Sequence, residues 1–300
     1  MNRHLIHLSL PRHAGSWRTA AVVIGAATFA LATACSSSPP AKSSSSPSAK
    51  AGTTSSSSSA AAAAPQRAIT LAAAQTQQVN SLSGTMSVQI GSTGAVNGTI
   101  QVQVRPSLLI GDTLSTTSNG QSTNISEVLT STALYMDIPG LSAQAGEPWT
   151  EVPFSELSGS LGTALNQAIQ EAESGDPLTQ TQLLAVSKNV REVGTQVVGG
   201  VSTTEYAGSV SPPAALNALS PSLSKELAPE LKALSGDINW EIWLDSQHMV
   251  HKLVENETVD GQATTVNVNV TSENQPVTVT VPPSSQVYVL PASALSSSGL

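Results

Sequence analysis

The chain has 300 residues, of which only 11% are charged, a formal net charge of −8 and a single cysteine. One thiol excludes an internal disulfide and any zinc site built on several thiolates. An acidic body without a Lys/Arg cluster has no electrostatic footprint for phosphate backbones and adheres poorly to anionic headgroups, so nucleic acid is not an expected partner.

At the N-terminus, Arg3, Arg12 and Arg18 stand without an acid ahead of the apolar run Ala20 to Ala34. That run is about 15 residues long, too short to cross a hydrocarbon core of roughly 30 Å, and reads as an export signal. It closes on Leu31-Ala32-Thr33-Ala34-Cys35. Small residues before a cysteine fit a bacterial lipoprotein signal, although Leu31 lies four positions ahead of the cysteine where three is usual. Residues 1–34 are therefore expected to be removed, leaving Cys35 as a lipidated first residue that holds the chain to the membrane by its acyl chains. Loss of the three leader arginines makes the mature chain more acidic still.

Residues 35–64 comprise that cysteine and a Ser/Ala/Pro-rich stretch with nothing large to bury, expected to be a disordered tether. Its root-mean-square reach would be roughly 30 Å. Residues 65–290 form one domain and 291–300 a flexible tail.

The domain opens with a helix expected over Leu71 to Asn80, entered through Pro65 or Gln66. Period-2 alternation follows in Met86, Val88 and Ile90, then in Ile100, Val102 and Val104, with Asn97-Gly98 expected as the hairpin turn between them. A second pair, Leu108 to Thr117 and Gln121 to Leu129, is joined at Asn119-Gly120. Leu134, Met136 and Ile138 make another strand, and Trp149 to Val152 a short one.

Leu157, Leu161, Leu165 and Ile169 recur at helical spacing, and Asp176-Pro177 opens a further helix. Strands return at Val190 to Val198 and Val201 to Val210 across Gly199-Gly200. Ser211-Pro212-Pro213 begins a helical insert to about Leu234, expected to break at Pro221 and Pro229. Ile238 to Leu244, Met249 to Val259, Val266 to Val270 and Val277 to Val281 complete the pattern, with Asp260-Gly261 as a turn.

About eleven hairpin-connected strands imply one antiparallel sheet, with a wet face of Gln, Asn, Thr and Ser and an apolar face covered by the helices. The expected fold class is α+β, a half-open antiparallel β-barrel. Met86, Val88, Val102, Met136, Ile138, Trp240 and Ile242 are the candidate ligand-binding wall, from alternation alone. The bland reading of the same residues is a solid core.

No catalytic, metal or cofactor constellation is found, so no enzyme, metal or cofactor is expected. His248 and His251 lie near a strand, where alternation prevents a helical ligand pair. Glu241 and Asp245, four residues apart along a strand, would stand about 13 Å apart, too far for a glycosidase pair. The motifs G-x-S-x-G, H-E-x-x-H, P-loop and G-x-G-x-x-G do not occur in a fitting context.

Leu134-Tyr135-Met136-Asp137-Ile138-Pro139-Gly140, followed by Pro148-Trp149-Thr150-Glu151-Val152, resembles the hairpin of actinobacterial envelope lipoproteins of the LppX/LprG kind. Asp176-Pro177-Leu178, Val193-Gly194, Gly199 to Tyr206, Trp243-Leu244-Asp245 and Met249 to Lys252 follow in the same order. The resemblance implies a LolA/LolB-like half-barrel with an apolar cavity, and carriage of a lipid or lipoglycan at the extracytoplasmic face of the cell membrane. It also implies a monomer, with an envelope transporter as a candidate partner, and it brings no catalytic residue. Charged residues common in that family are thinned here in favour of Ser, Thr and Asn, so ligand identity is not carried over.

Overall fold

The computed structural model describes residues 56–291 apart from 77, 93, 119, 140–146, 158–168, 170–186, 219–220 and 260. Its centre is a 12-stranded sheet. The strands are β1 (Ser81–Ile90), β2 (Gly94–Gln103), β3 (Leu109–Ser118), β4 (Gln121–Thr130), β5 (Ala133–Asp137), β6 (Trp149–Pro153), β7 (Lys188–Val198), β8 (Val201–Val210), β9 (Ile238–Leu244), β10 (Val250–Val259), β11 (Gln262–Glu273) and β12 (Val287–Val289). Their spatial order is β12-β6-β5-β4-β3-β2-β1-β11-β10-β9-β8-β7. Neighbours pair antiparallel except β12, which runs parallel to β6. β7 and β12 stand at opposite edges, so the barrel is half-open as expected.

Three helices are described: α1 (Ser56–Thr76), α2 (Pro212–Ala218) and α3 (Pro221–Ala233). Ile69 and Ala72 of α1, Ala215 of α2 and Leu231 of α3 pack with Val210, Trp240, Ile242 and Leu244. The face they cover is the inner face. α1 differs from the expected Leu71–Asn80 helix, because it starts at Ser56, inside the stretch read as tether, and ends at Thr76. The alanine run Ala60 to Ala64 favours helix strongly enough to carry it through Pro65.

Three further expectations give way. The Asn97-Gly98 pair is no turn but lies in the middle of β2, and the chain reverses around Gly91, whose φ is +53°. Gly98 serves close approach instead, since a Cβ there would collide with the Thr113 carbonyl and the Leu114 side chain. The insert breaks at Pro221 as expected, where α3 begins and the missing N–H costs nothing, but it does not break at Pro229, through which α3 runs on. Val277, Val279 and Val281 form no strand; their segment crosses β2 and β3 as a strap, with the Thr278 amide donating to Gln101 Oε1 at 2.9 Å. The twelfth strand is β12, too short to show alternation.

Candidate functional site

Cross-strand register fixes which side chains share the inner face. Val88 stands opposite Val96 and Val266, and Met86 opposite Gly98 and Val268. Leu82 faces Val102, while Leu253 of β10 faces both Val268 and Ile242, and Trp240 faces Glu255. Continuing outward, Gly98 pairs with Leu114, Leu114 with Ile125, and Glu127 with Met136. Because alternate residues share a face, Met86, Val88, Val102, Met136, Trp240 and Ile242 all project inward.

Ile138, just past β5, packs beside Met86 and Val88 with Val96, Leu114, Ile125, Val266 and Val268. Trp240 and Ile242 belong to the patch under the helices, and Val102 to a third cluster with Val79, Leu82, Ile100 and Val104. The indole of Trp240 lies over Gly208, and its Nε1 donates to Ser187 Oγ at 3.2 Å. The seven residues thus share one surface but fall into three neighbouring patches.

The inner face is not purely apolar, which corrects the expected division into one wet and one apolar face. Asp112 of β3 stands directly opposite Glu127 of β4, and both alternate in phase with inward apolar residues, Ile110 and Leu114 on one strand, Ile125 and Leu129 on the other. Glu127 is 5% exposed, and Asp112 Oδ1 is sealed from solvent without a hydrogen-bond partner. Burial pushes the Asp112 carboxyl up to about 7. Burial and then the neighbouring Asp112 charge push Glu127 up to about 8. On the other half of the sheet Glu255 faces Val266 and Glu257 faces Thr264. Burial, then Glu257, raises Glu255 to about 7, and burial raises Glu257 as well. Acids at the apolar phase of a period-2 pattern were the available sequence signal for these four residues.

A cleft of 230 Å³ lies on the opposite, outer face, between the strap and β2 to β4. Thr99, Gln101, Gly111 to Thr113 and Ser126 to Val128 form its floor, Asp112 and Glu127 included, with Trp149 to one side and Thr278, Val279 and Thr280 overhead. Val279 seats against Gly111, where a Cβ would displace it.

Asp245 leaves β9 to hold the turn into β10. Its Oδ1 accepts from the amides of Gln247 and Met249 at 2.8 and 3.0 Å, and Oδ2 meets His251 Nε2 at 3.1 Å. Burial raises this carboxyl, but the amides and His251 outweigh that and lower it overall. The turn thus occupies the carboxylate that Glu241 would need as a partner. Among the described residues no group of three or more His, Cys, Asp or Glu side chains could hold a metal ion, and no helix is long and apolar enough to cross a membrane. Cys35 lies outside the described residues, as do Leu161, Leu165 and the Asp176-Pro177 segment. Of that helical stripe, Ile169 is buried against Leu108 and Phe154, and Leu157 packs on the same cluster.

The architecture is that of an open antiparallel sheet with helices on one face, and solved structures of similar fold exist. One is the lipoprotein LppX of Mycobacterium tuberculosis, 17% identical, matched over 73% of this chain and 99% of that one with a TM-score of 0.45. Another is LprF from Mycobacterium bovis, 14% identical over 73% and 97% of the two chains, with a TM-score of 0.45. A chain of the Pseudomonas aeruginosa MucA/MucB complex is 16% identical over 70% and 56%, with a TM-score of 0.32. No family model matches the chain, and no curated protein matches it in sequence.

Proposed function

We propose that the chain is an envelope lipoprotein, held at the extracytoplasmic face of the cell membrane by acyl chains on Cys35, that takes up a lipid or lipoglycan on its inner face. It carries or presents that molecule and performs no turnover. The observation behind this reading is that Met86, Val88, Val102, Met136, Ile138, Trp240 and Ile242, drawn from separate hairpins, form one inward surface, with Trp240 and Ile242 beneath the described helices. Shelter on this scale is what a tail demands. At about 0.8 kcal/mol per methylene, a sixteen-carbon chain needs roughly 13 kcal/mol of apolar cover to leave a bilayer without penalty.

A second reading has its own support. Met86, Val88, Trp240 and Ile242 are each 5% exposed or less, as in a solid core that serves a protein-binding module. Native mass spectrometry after gentle membrane purification separates the two. Carriage predicts a reproducible bound lipid and extraction of labelled lipid from vesicles; an empty domain that extracts none establishes the module.

A further inference from the structure

The inner face carries a feature that an aliphatic tail does not call for. Asp112 and Glu127 face one another across β3 and β4, with Ile100 on one flank and Met136, then Thr150, on the other, all in one cross-sheet row. Glu127 is 95% buried by its 5% exposure, and Asp112 Oδ1 is sealed from solvent without a hydrogen-bond partner. Among the described residues neither carboxyl makes an ion pair. The described strands hold Lys188, Arg191 and Lys252, and register turns all three to the outer face, opposite Ser209, Ala207 and Trp243. The other acids that register places on the inner face are Glu192, opposite Tyr206, Glu255 and Glu257, with Glu273 opposite Leu82 at its rim.

A sealed carboxyl oxygen without a partner costs free energy and is uncommon in a folded protein, so Asp112 Oδ1, set against the buried Glu127, calls for a ligand group. We infer that the Asp112–Glu127 pair is the polar anchor of the inner face, receiving a hydroxyl of an uncharged lipid and rejecting an anionic headgroup. This rests on the lipid-carriage reading and specifies its ligand class.

The chemistry follows from what each group offers. Two adjacent buried carboxyls that retain a proton present a donor and several acceptors, and a hydroxyl satisfies both roles at once. A phosphate brings mainly acceptors and negative charge to a surface already acidic, where no lysine or arginine of the described strands turns inward to receive it. A fully esterified lipid brings carbonyl acceptors but no donor, and leaves carboxyl oxygens unpaired. Met136, already assigned to the apolar wall, stands beside Glu127 and would place the ligand's first methylenes against aliphatic side chains.

The test uses the full lipidated chain, purified in mild detergent and incubated at pH 7 with phosphatidylcholine vesicles containing equal amounts of three lipids with identical tails. These are dipalmitoylglycerol with a free hydroxyl, dipalmitoyl phosphatidic acid with a phosphate there, and tripalmitin with that position esterified. Mass spectrometry of the re-isolated protein is expected to show dipalmitoylglycerol enriched about tenfold over each of the others. The double variant Asp112→Leu/Glu127→Leu should bring the three to parity, while Asp112→Asn/Glu127→Gln, which keeps hydrogen-bonding groups without charge, should preserve the preference. Circular dichroism melting identifies any variant that fails to fold, in which case Glu127→Leu alone carries the comparison. Equal retention of the three lipids by the unaltered chain, preference for phosphatidic acid, or an undiminished preference in the leucine variants would overturn the anchor while leaving carriage intact. Retention of no lipid at all would remove the carriage reading and the anchor with it.

Discussion

Gly208 has no side chain because the indole of Trp240 occupies the space one would need. Trp240 is buried and held by Ser187, so Gly208→Ala is expected to cost about 1–3 kcal/mol in urea unfolding. Gly194→Ala, with open space around it, should change little. The carboxyls give a pH dependence of definite sign. Burial raises Asp112 from 3.8 to about 7 and Glu127 from 4.5 to about 8, so the folded chain binds more protons than the unfolded chain between those limits. Stability is then greatest below the unfolded values and falls as pH climbs toward 8. Denaturant midpoints should drop between pH 5 and pH 8, and Asp112→Asn/Glu127→Gln should flatten that drop; a flat profile in the unaltered chain would contradict the shifts. Asp245 works in the opposite sense and at lower pH, because its depressed carboxyl adds stability that is lost only on acidification. At this scale the apolar wall was legible, since period-2 alternation assigns Met86 and Val88 to one side wherever the strand begins. The acids were not, because composition marks Asp and Glu as surface residues, and only their phase against Leu114 and Ile125 places them inward.

Among the elements, α1 does most to cover the sheet. Ile69 is 0% exposed at the centre of the patch over Trp240 and Leu244, whereas Leu71 is 38% exposed. Ile69→Ala is expected to cost about 2–5 kcal/mol, with Leu71→Ala well below that, in the same unfolding experiment. The long hairpins were readable from alternation and glycine turns, as Gly120 and the Gly199-Gly200 pair show with positive φ. Where the expectation failed, tertiary contacts had overridden a local signal. Asn97-Gly98 has turn chemistry, but its glycine is needed for the approach of β3. The valines at 277, 279 and 281 alternate like a strand, yet Gly111 opens a seat for Val279 and the segment lies across the strands rather than beside them.

For the molecule as a whole, the runs β1 to β5, β7 to β8 and β9 to β11 follow hairpin logic and were implied by the succession of short connections, whereas β1 beside β11 joins strands distant in the chain. The parallel closure by β12 was not implied, because it depends on where the strap delivers the chain after crossing the outer face. Membrane attachment belongs to this scale too. Cys35→Ala is expected to move the protein from the membrane to the soluble fraction on cell fractionation, and undiminished membrane retention would refute lipidation. The sheet's other edge, β7, exposes Val193 and Val197, while Val190 of the same strand packs into the patch under the helices. A mechanical consequence follows from the position of α1. The chain enters the sheet from its N-terminal side only through this helix, so a pull arriving from upstream of Ser56 is borne first by Ile69 and Ala72, the side chains that roof Trp240. Leash and roof are one element, and tension on the first is felt by the second before any strand yields.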